Sequence, residues 1–245
     1  MREIISTFSD FILDTLFPIR CLQCKKEGNW ICRACASNIH IQTEHVCPIC
    51  ERSTTPNGKT CLDCKKKSAL DGIIPATNYQ DPTVSKAIHH FKYRFIADLH
   101  VELGGLLISA LQKSDTPIPD IIIPIPLHTR RLRWRGFNQS FLLASQVAQK
   151  LLPAIEIKLE ENILIRKRYT CPQMEIKDYQ SRKQNLAGAF HCSDANAVKN
   201  KIILLIDDVA TTGSTIFECA KVLKKAGAKE VYAAVIARQE VGGRE

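Results

Sequence analysis

The run Lys201-Ile202-Ile203-Leu204-Leu205-Ile206-Asp207-Asp208-Val209-Ala210-Thr211-Thr212-Gly213-Ser214-Thr215 leaves this chain few folds to choose from. An unbroken apolar stretch after a lysine reads as a strand buried on both faces, as in a parallel sheet. Two adjacent carboxylates, Asp207 and Asp208, stand at its end, and small and hydroxyl residues come next. Ile216 to Ala226 then reads as a helix. Strand, short loop and helix N-terminus in series make an anion seat. Main-chain N–H groups from Ala210 to Thr215 would converge there, with the positive end of the helix dipole behind them. The hydroxyls of Thr211, Thr212, Ser214 and Thr215 add donors. That half of the run suits a phosphate. The acids do not, but they suit a vicinal diol, which offers two O–H donors. A ribose 5-phosphate carries both groups.

The front of the chain is constrained differently. Four Cys-x-x-Cys pairs fall there: Cys21/Cys24, Cys32/Cys35, Cys47/Cys50 and Cys61/Cys64. Residues Met1 to Pro18 carry acids at Glu3, Asp10 and Asp14 and lack the pattern of a secretory signal. The expected setting is therefore the reducing cytoplasm, where such thiols hold metal rather than form disulfides. Each pair aims two thiolates at one ion, and two pairs complete a tetrahedron, so the eight fill two structural Zn²⁺ sites with no open position. Adjacent and interleaved pairing are both open, and so is one zinc with the remaining pairs reduced. Ribbons this small have little core, and bound metal would supply their stability. Ahead of them, Ile4, Ile5, Phe8, Phe11, Ile12 and Leu16 fall near helical spacing, which suggests a helix docked on the body. No apolar run approaches ~20 residues, so no membrane span is expected. The formal charge of +9 points to a polyanion partner. Each four-thiolate zinc centre is a net dianion and trims that balance, so the placement of the bases matters more than their sum.

From Asp71 the composition changes. Ile73 to Tyr79 reads as a strand. Val84, Ile88, Phe91 and Phe95 run at helical spacing, and Leu99, Leu103, Leu107 and Leu111 continue in a second helix. His89 and His90 are adjacent, so they project apart and cannot share a metal from one helical face. Ile121 to Pro126 is another buried strand, stopped by prolines. After it comes a loop in which Arg130, Arg131, Arg133 and Arg135 are interleaved with Trp134 and Phe137. Guanidinium groups clamp phosphates, and aromatic rings stack on unpaired bases. The two rings would also suit a core. Lys92, Arg133, Trp134, Arg135, Phe137, Arg166 and Arg168 are the candidate contacts to a nucleic acid. A helix is expected from Asn138 or Ser140 to about Leu151, with Phe141, Leu142, Ala144, Ser145 and Ala148 inward. Ile155 to Ile165 holds one or two strands. The polar stretch from Arg166 through Asn185 has few apolar anchors and reads as a mobile loop, or a loop plus a short helix, and is a lid candidate. Glu230 to Ile236 is the last strand. Cys171, Cys192 and Cys219 are isolated and read as structural.

Several of these segments together resemble one family. They are Phe17-Pro18 before the first cysteine pair, the four pairs, Ile88-His89-His90-Phe91-Lys92-Tyr93, Pro124-Ile125-Pro126-Leu127-His128 and Arg135-Gly136-Phe137-Asn138-Gln139. Gln173 with Arg182-x-x-Asn185-Leu186, Ala189-Phe190 and the run from Lys201 complete the set. The pattern covers nearly the whole chain and resembles the ComF family of late competence proteins, a branch of the type I phosphoribosyltransferases.

The resemblance implies an α/β fold, a twisted, mainly parallel sheet flanked by helices, preceded by a small Cys-rich zinc-ribbon domain. Residues 1–70 would be the N-terminal helix and zinc ribbons, and residues 71–245 the phosphoribosyltransferase-like domain. It also implies a ligand, phosphoribosyl pyrophosphate (PRPP) with Mg²⁺. Asp207 and Asp208 would hold the ribose hydroxyls and serve the chemistry. Ala210, Thr211, Thr212, Gly213, Ser214 and Thr215 would hold the 5-phosphate. Arg130 and Arg131, in the loop Leu127 to Arg131, would hold the pyrophosphate, and Arg166 to Gln173 would be the lid. The implied role is DNA uptake in natural transformation, with single-stranded DNA and competence-machinery proteins such as a helicase as partners. The alternative is an active transferase passing ribose 5-phosphate to an acceptor that no residue announces.

Overall fold

The computed structural model describes residues 18–169 and 186–239. The expected N-terminal helix, the lid residues from Thr170 to Gln173, the Arg182 and Asn185 positions, Cys171 and the last residues of the tail lie outside them.

Five strands make one all-parallel sheet: β1 (Gly72–Asn78), β2 (Ile121–Pro124), β3 (Lys158–Leu159), β6 (Ile202–Ala210) and β7 (Glu230–Arg238), in the spatial order β1-β7-β6-β2-β3. β4 (Leu164–Arg166) and β5 (Phe190–Cys192) form a separate antiparallel pair. The strand period divides the apolar side chains between two cores. Ile122, Leu204, Ile206 and Ile236 face one side, against helices α3 (Pro82–Tyr93), α4 (His100–Gln112) and α6 (Gln139–Lys150). Ile121, Ile123, Ile203, Leu205 and Val235 face the other, against α8 (Ser214–Lys225), the short α7 (Ala195–Val198) and the β4–β5 pair. Both faces being covered explains why the strands read as unbroken apolar runs. The inward face of α6 differs in part from the expected one. Ala144 and Ala148 are buried and Leu142 packs half-buried against the core as expected, but Leu143 and Val147 take the buried places expected of Phe141 and Ser145. The helix starts at Gln139, and the 3.6-residue period carries Leu143 and Val147 inward from there.

From β2 the chain moves to β3 on one side, and from β6 it moves to β7 on the other. The crevice beyond the C-terminal ends of β2 and β6 is thus a topological switch point, where such sheets bind their ligands.

The cysteine segment is an internal repeat. Cys21 and Cys47 each begin a tight turn, closed by Lys25 N–H to the Cys21 carbonyl and by Glu51 N–H to the Cys47 carbonyl, both at 3.0 Å. Lys25 and Glu51 both take the left-handed conformation, with φ of 68° and 56°. Cys32 and Cys61 cap one-turn helices α1 (Arg33–Ala36) and α2 (Leu62–Lys65). Each capping cysteine donates its N–H at 3.4 Å to the first sulfur of its own unit, Cys21 or Cys47.

The second unit covers the outer edge of β1. Gln42 N–H donates to the Ala76 carbonyl, Thr60 N–H to the Asp71 carbonyl, and Lys59 bridges Gly72. An edge strand left bare is a pairing hazard, and Pro75, which has no N–H, is tolerated here because β1 is an edge. The approach at Gly58 is close. With φ of 64°, a Cβ there would stand 1.9 Å from the Ile73 carbonyl oxygen, so no other residue fits.

Asp71 ties the layers together. Its carboxylate accepts from Val231 N–H at 2.8 Å, and Lys224 of α8 and Lys65 of α2 lie 2.8 Å and 3.4 Å away. Asp71→Ala leaves the buried Val231 amide without its acceptor, while Lys224 retains the Lys229 carbonyl at 2.7 Å, so it is expected to cost about 1–3 kcal/mol. Urea unfolding checks this; Asp71→Asn, which still accepts from Val231, should cost less.

Candidate functional site

A cleft of about 1110 Å³ opens at the switch point. Its floor is the end of β6. The sequence places the acids at the strand's end, but β6 continues through both of them to Ala210, because its pairing with β7 holds to Ala210↔Arg238. The loop expected to seat a phosphate is therefore Thr211 to Gly213, and α8 begins at Ser214. Gly213 turns the chain with φ of 71°. Buried Thr212 and Ser214 share a hydroxyl bond of 2.8 Å that stiffens the turn. Thr211 and Thr215 line the cleft.

Asp207 Oδ1 accepts from Ser140 Oγ at 3.0 Å and from Asp208 N–H at 2.9 Å. Asp208 pairs with Lys92 Nζ at 2.8 Å. Burial, then the Asp208 charge, pushes the Asp207 carboxyl up to about 7, against the pull of Lys92 and its hydrogen bonds. Burial pulls the Lys92 ammonium down, but the two carboxylates outweigh it and the net shift is upward, so Lys92 stays charged. The folded state binds the Asp207 proton more tightly than the unfolded chain does. The group's contribution to stability therefore falls as pH rises from the ordinary carboxylate range through about 7. A diol favours the ionised acid, and so should lower this pKa. Carboxyl ¹³C NMR of the free protein is expected to show one aspartate titrating near 7, absent in Asp207→Asn and moved down by saturating ribose 5-phosphate. A spectrum with every carboxyl in its ordinary range would contradict this.

The opposite wall comes from the end of β2 and from the segment that leads on to α6. Thr129–Arg135, expected as a loop, is a helix of about two turns, α5, ended by Gly136 in the left-handed conformation with φ of 80°. Arginine and leucine are good helix formers, and glycine supplies the C-terminal stop. The helix sorts its arginines. Arg131 and Arg135, four apart, are half-buried, whereas Arg130 and Arg133 are exposed. Arg130, Arg131 and Arg135 all line the cleft, and Arg166 of β4 joins them. Burial pushes the Arg166 guanidinium down to about 10, with the Arg131 charge adding to it, and burial lowers Arg135 as well. Arg135 donates to Gln139 Oε1 at 3.1 Å, and Gln139, itself buried, donates to the Phe91 carbonyl at 3.3 Å. The buried Arg135 Nε–H meets no acceptor among the described residues. The Tyr169 ring lies under Arg130 and Arg131, at 5.1 Å and 5.9 Å, and edge-on to His128.

Two candidate nucleic-acid contacts are corrected by this geometry. Lys92 is inside the cleft on Asp208, because Val84, Ile88 and Lys92 share one face of α3 and that face is buried. Phe137 packs on Phe91 with ring centroids 5.6 Å apart, as part of a core. Arg166 also turns into the cleft. Arg168 is exposed and donates to the Ala187 carbonyl at 2.9 Å. Trp134 stands at the mouth of the cleft, 60% exposed, and Arg133 beside it is exposed. The sequence reading missed Ser140, Gln139 and Phe95. Phe95 is a bulky residue at φ of 58°, 40% exposed, set edge-on to Trp134 at 5.2 Å. A ring of that size at positive φ is uncommon.

The structure resolves the cysteine pairing in favour of adjacent pairs. Cys21, Cys24, Cys32 and Cys35 gather with their sulfurs within 4.8 Å of one another, and so do Cys47, Cys50, Cys61 and Cys64. Burial pushes the Cys21 thiol up, but main-chain N–H groups of Cys32, Cys24 and Gln23 outweigh it and hold it at about 6. The N–H groups of Arg52 and Ser53 hold Cys50 at about 6. Within the same clusters, Cys24 and Cys32 push Cys35 up to about 12, while burial and then Cys61 push Cys64 up to about 12. Each cluster gathers more thiol than it can ionise without a cation, which is what a four-thiolate Zn²⁺ site requires.

The fold and site define a phosphoribosyltransferase-type protein with a zinc-ribbon front. Residues 138–245 match the phosphoribosyl transferase domain family, and residues 12–65 match the double zinc ribbon domain family. The chain is 30% identical over 232 residues to Competence protein F of Haemophilus influenzae, covering 91% of this chain and 98% of that protein. It is 32% identical over 213 residues to DNA utilization protein YhgH of Salmonella typhi, covering 83% and 88%. Competence protein ComFC of Bacillus subtilis is 26% identical, covering 85% and 83%. The chain belongs to this ComF family. Among solved structures, glutamine PRPP amidotransferase from B. subtilis has a TM-score of 0.41 and 19% identity, covering 61% of this chain and 30% of that one. A likeness that distant carries no weight. Among the described residues no helix is long and apolar enough to cross a membrane.

Proposed function

We propose that the cleft binds PRPP, and that the protein uses this site while handling single-stranded DNA. One observation carries the reading. A single cleft joins a carboxylate pair, a hydroxyl-rich helix N-terminus and the guanidinium groups of Arg130, Arg131, Arg135 and Arg166. A diol, a phosphate and a pyrophosphate are the three chemistries those elements accept. Mg²⁺ would arrive with the pyrophosphate. The names of the relatives, competence protein and DNA utilization protein, support the wider role.

DNA would lie along the rim. Trp134 and Phe95 offer exposed rings, and Arg133 stands beside them as a phosphate partner. Stacking on one ring contributes about 1–3 kcal/mol per base. Arg133→Ala with Trp134→Ala is therefore expected to weaken single-stranded DNA binding about tenfold or more, with PRPP affinity unchanged. Fluorescence anisotropy at several salt concentrations measures it, since phosphate contacts also steepen the salt dependence. Equal DNA affinity in mutant and wild type would refute the rim assignment.

The carboxylate pair favours a second reading. Beside the sugar of a bound PRPP, it would stabilise the positive charge that develops as an acceptor's lone pair bonds to the anomeric carbon and pyrophosphate leaves. Pyrophosphate release from PRPP across a panel of acceptors separates a transferase from a binder.

A further inference from the structure

The two zinc units are built alike but wired differently. In the first, the Lys25 ammonium reaches back to the Leu22 carbonyl at 3.4 Å, within its own turn. In the second, the corresponding residue is Glu51 and the corresponding carbonyl is that of Pro48. Both are taken by Arg238, at the end of β7. Its Nη2 donates to Pro48 O at 3.0 Å and to Glu51 Oε1 at 2.6 Å, with the Arg238 and Glu51 side chains only 12% and 20% exposed. Glu51 holds its left-handed conformation because its N–H closes the turn onto Cys47. The two acceptors therefore stand together only while the Cys47–Cys50 turn is closed. The first unit's polar tie to the sheet domain is of another kind, an exposed bond from Lys86 to Gln23 at 3.3 Å.

The main chain of Arg238 runs to the cleft. Arg238 pairs with Ala210, and Gln239 N–H donates to the Ala210 carbonyl at 3.0 Å. Tyr79 N–H donates to the Arg238 carbonyl at 3.2 Å. Ala210 is the last residue before the phosphate loop, and Tyr79 and Gln239 both line the cleft. We infer that Arg238 is a positioning residue that clamps the start of the phosphate loop to the second zinc turn, so that metal in the second site, and not in the first, sets the order of the loop. This rests on the reading of Thr211 to Gly213 as the phosphate seat. Arg238 itself is assigned no contact with ligand.

Hydrogen exchange on the full-length, zinc-loaded protein tests the clamp without any ligand. Arg238→Met keeps the apolar stem and should retain two zinc ions by mass spectrometry. It is expected to speed amide exchange across residues 208–213 about tenfold. Arg238→Lys should restore part of the protection, and Glu51→Gln should lose part of it while disturbing packing least. Cys64→Ser, in the second site, should reproduce the effect, whereas Cys35→Ser, in the first, should not. Unchanged exchange in both Arg238→Met and Glu51→Gln, or equal effects from the two cysteine variants, would overturn the coupling. A second arm titrates PRPP. Weaker binding by Arg238→Met than by wild type supports the coupling. Wild type that binds no PRPP while the exchange pattern holds would remove the ligand reading and leave the clamp standing.

Discussion

Stripping zinc from the protein is expected to unfold residues 18–70 and to drive the rest toward aggregation. Each unit is centred on four sulfurs, and its apolar contribution is slight. Leu22, Ile31 and Ile39 are the main buried aliphatics of the first, and they are shared with the sheet core. Structural zinc in small units contributes on the order of 10 kcal/mol, which is as large as the whole stability of many domains. The damage would spread because the second unit covers β1 through Gln42, Lys59 and Thr60. Losing it bares the edge of the sheet, with its unpaired main-chain groups. Mass spectrometry should find two zinc ions per chain. Chelation monitored by circular dichroism, light scattering and limited proteolysis should show loss of the front segment first. A chelated protein with unchanged stability would contradict a structural role for the metal.

Replacing the acid pair should have the second largest effect. Asp207→Asn with Asp208→Asn is expected to lower PRPP affinity more than about a hundredfold. Hydrogen bonds to a charged group contribute about 1.5–3 kcal/mol each, and both would be reduced to neutral ones. Asparagine is the informative choice. Its oxygen still accepts from Lys92 and Ser140, whereas alanine at Asp208 would leave the Lys92 ammonium without its partner in the floor of the cleft. A double asparagine variant that binds PRPP as wild type does would remove the acids from the site.

Much of this architecture is legible in the sequence, and the gaps have physical causes. The run from Ile202 to Thr215 names its own strand, loop and helix, because a doubly buried strand must be apolar throughout and a phosphate loop must be small. What it hides is the length of the strand, which β7 sets by pairing as far as Ala210. The zinc ligands are plain from spacing, but four identical Cys-x-x-Cys pairs carry no record of partner choice. That choice depends on contacts between segments. The arginines of α5 look equivalent in sequence until the helix is recognised, and then four-residue spacing separates half-buried Arg131 and Arg135 from exposed Arg133, with exposed Arg130 still lining the cleft. Lys92 misleads because Tyr93 and Arg94 beside it resemble a surface patch. Its place four residues after Ile88 on a buried stripe was the available signal. Phe95 left none, since nothing in a single sequence marks a phenylalanine for positive φ.

The most direct measurement is calorimetric titration of PRPP into the protein loaded with two zinc ions. Saturable binding of one PRPP per chain, lost in the double asparagine variant, is the expected result. No binding by the metal-replete wild type would contradict a PRPP site at the C-terminal ends of β2 and β6.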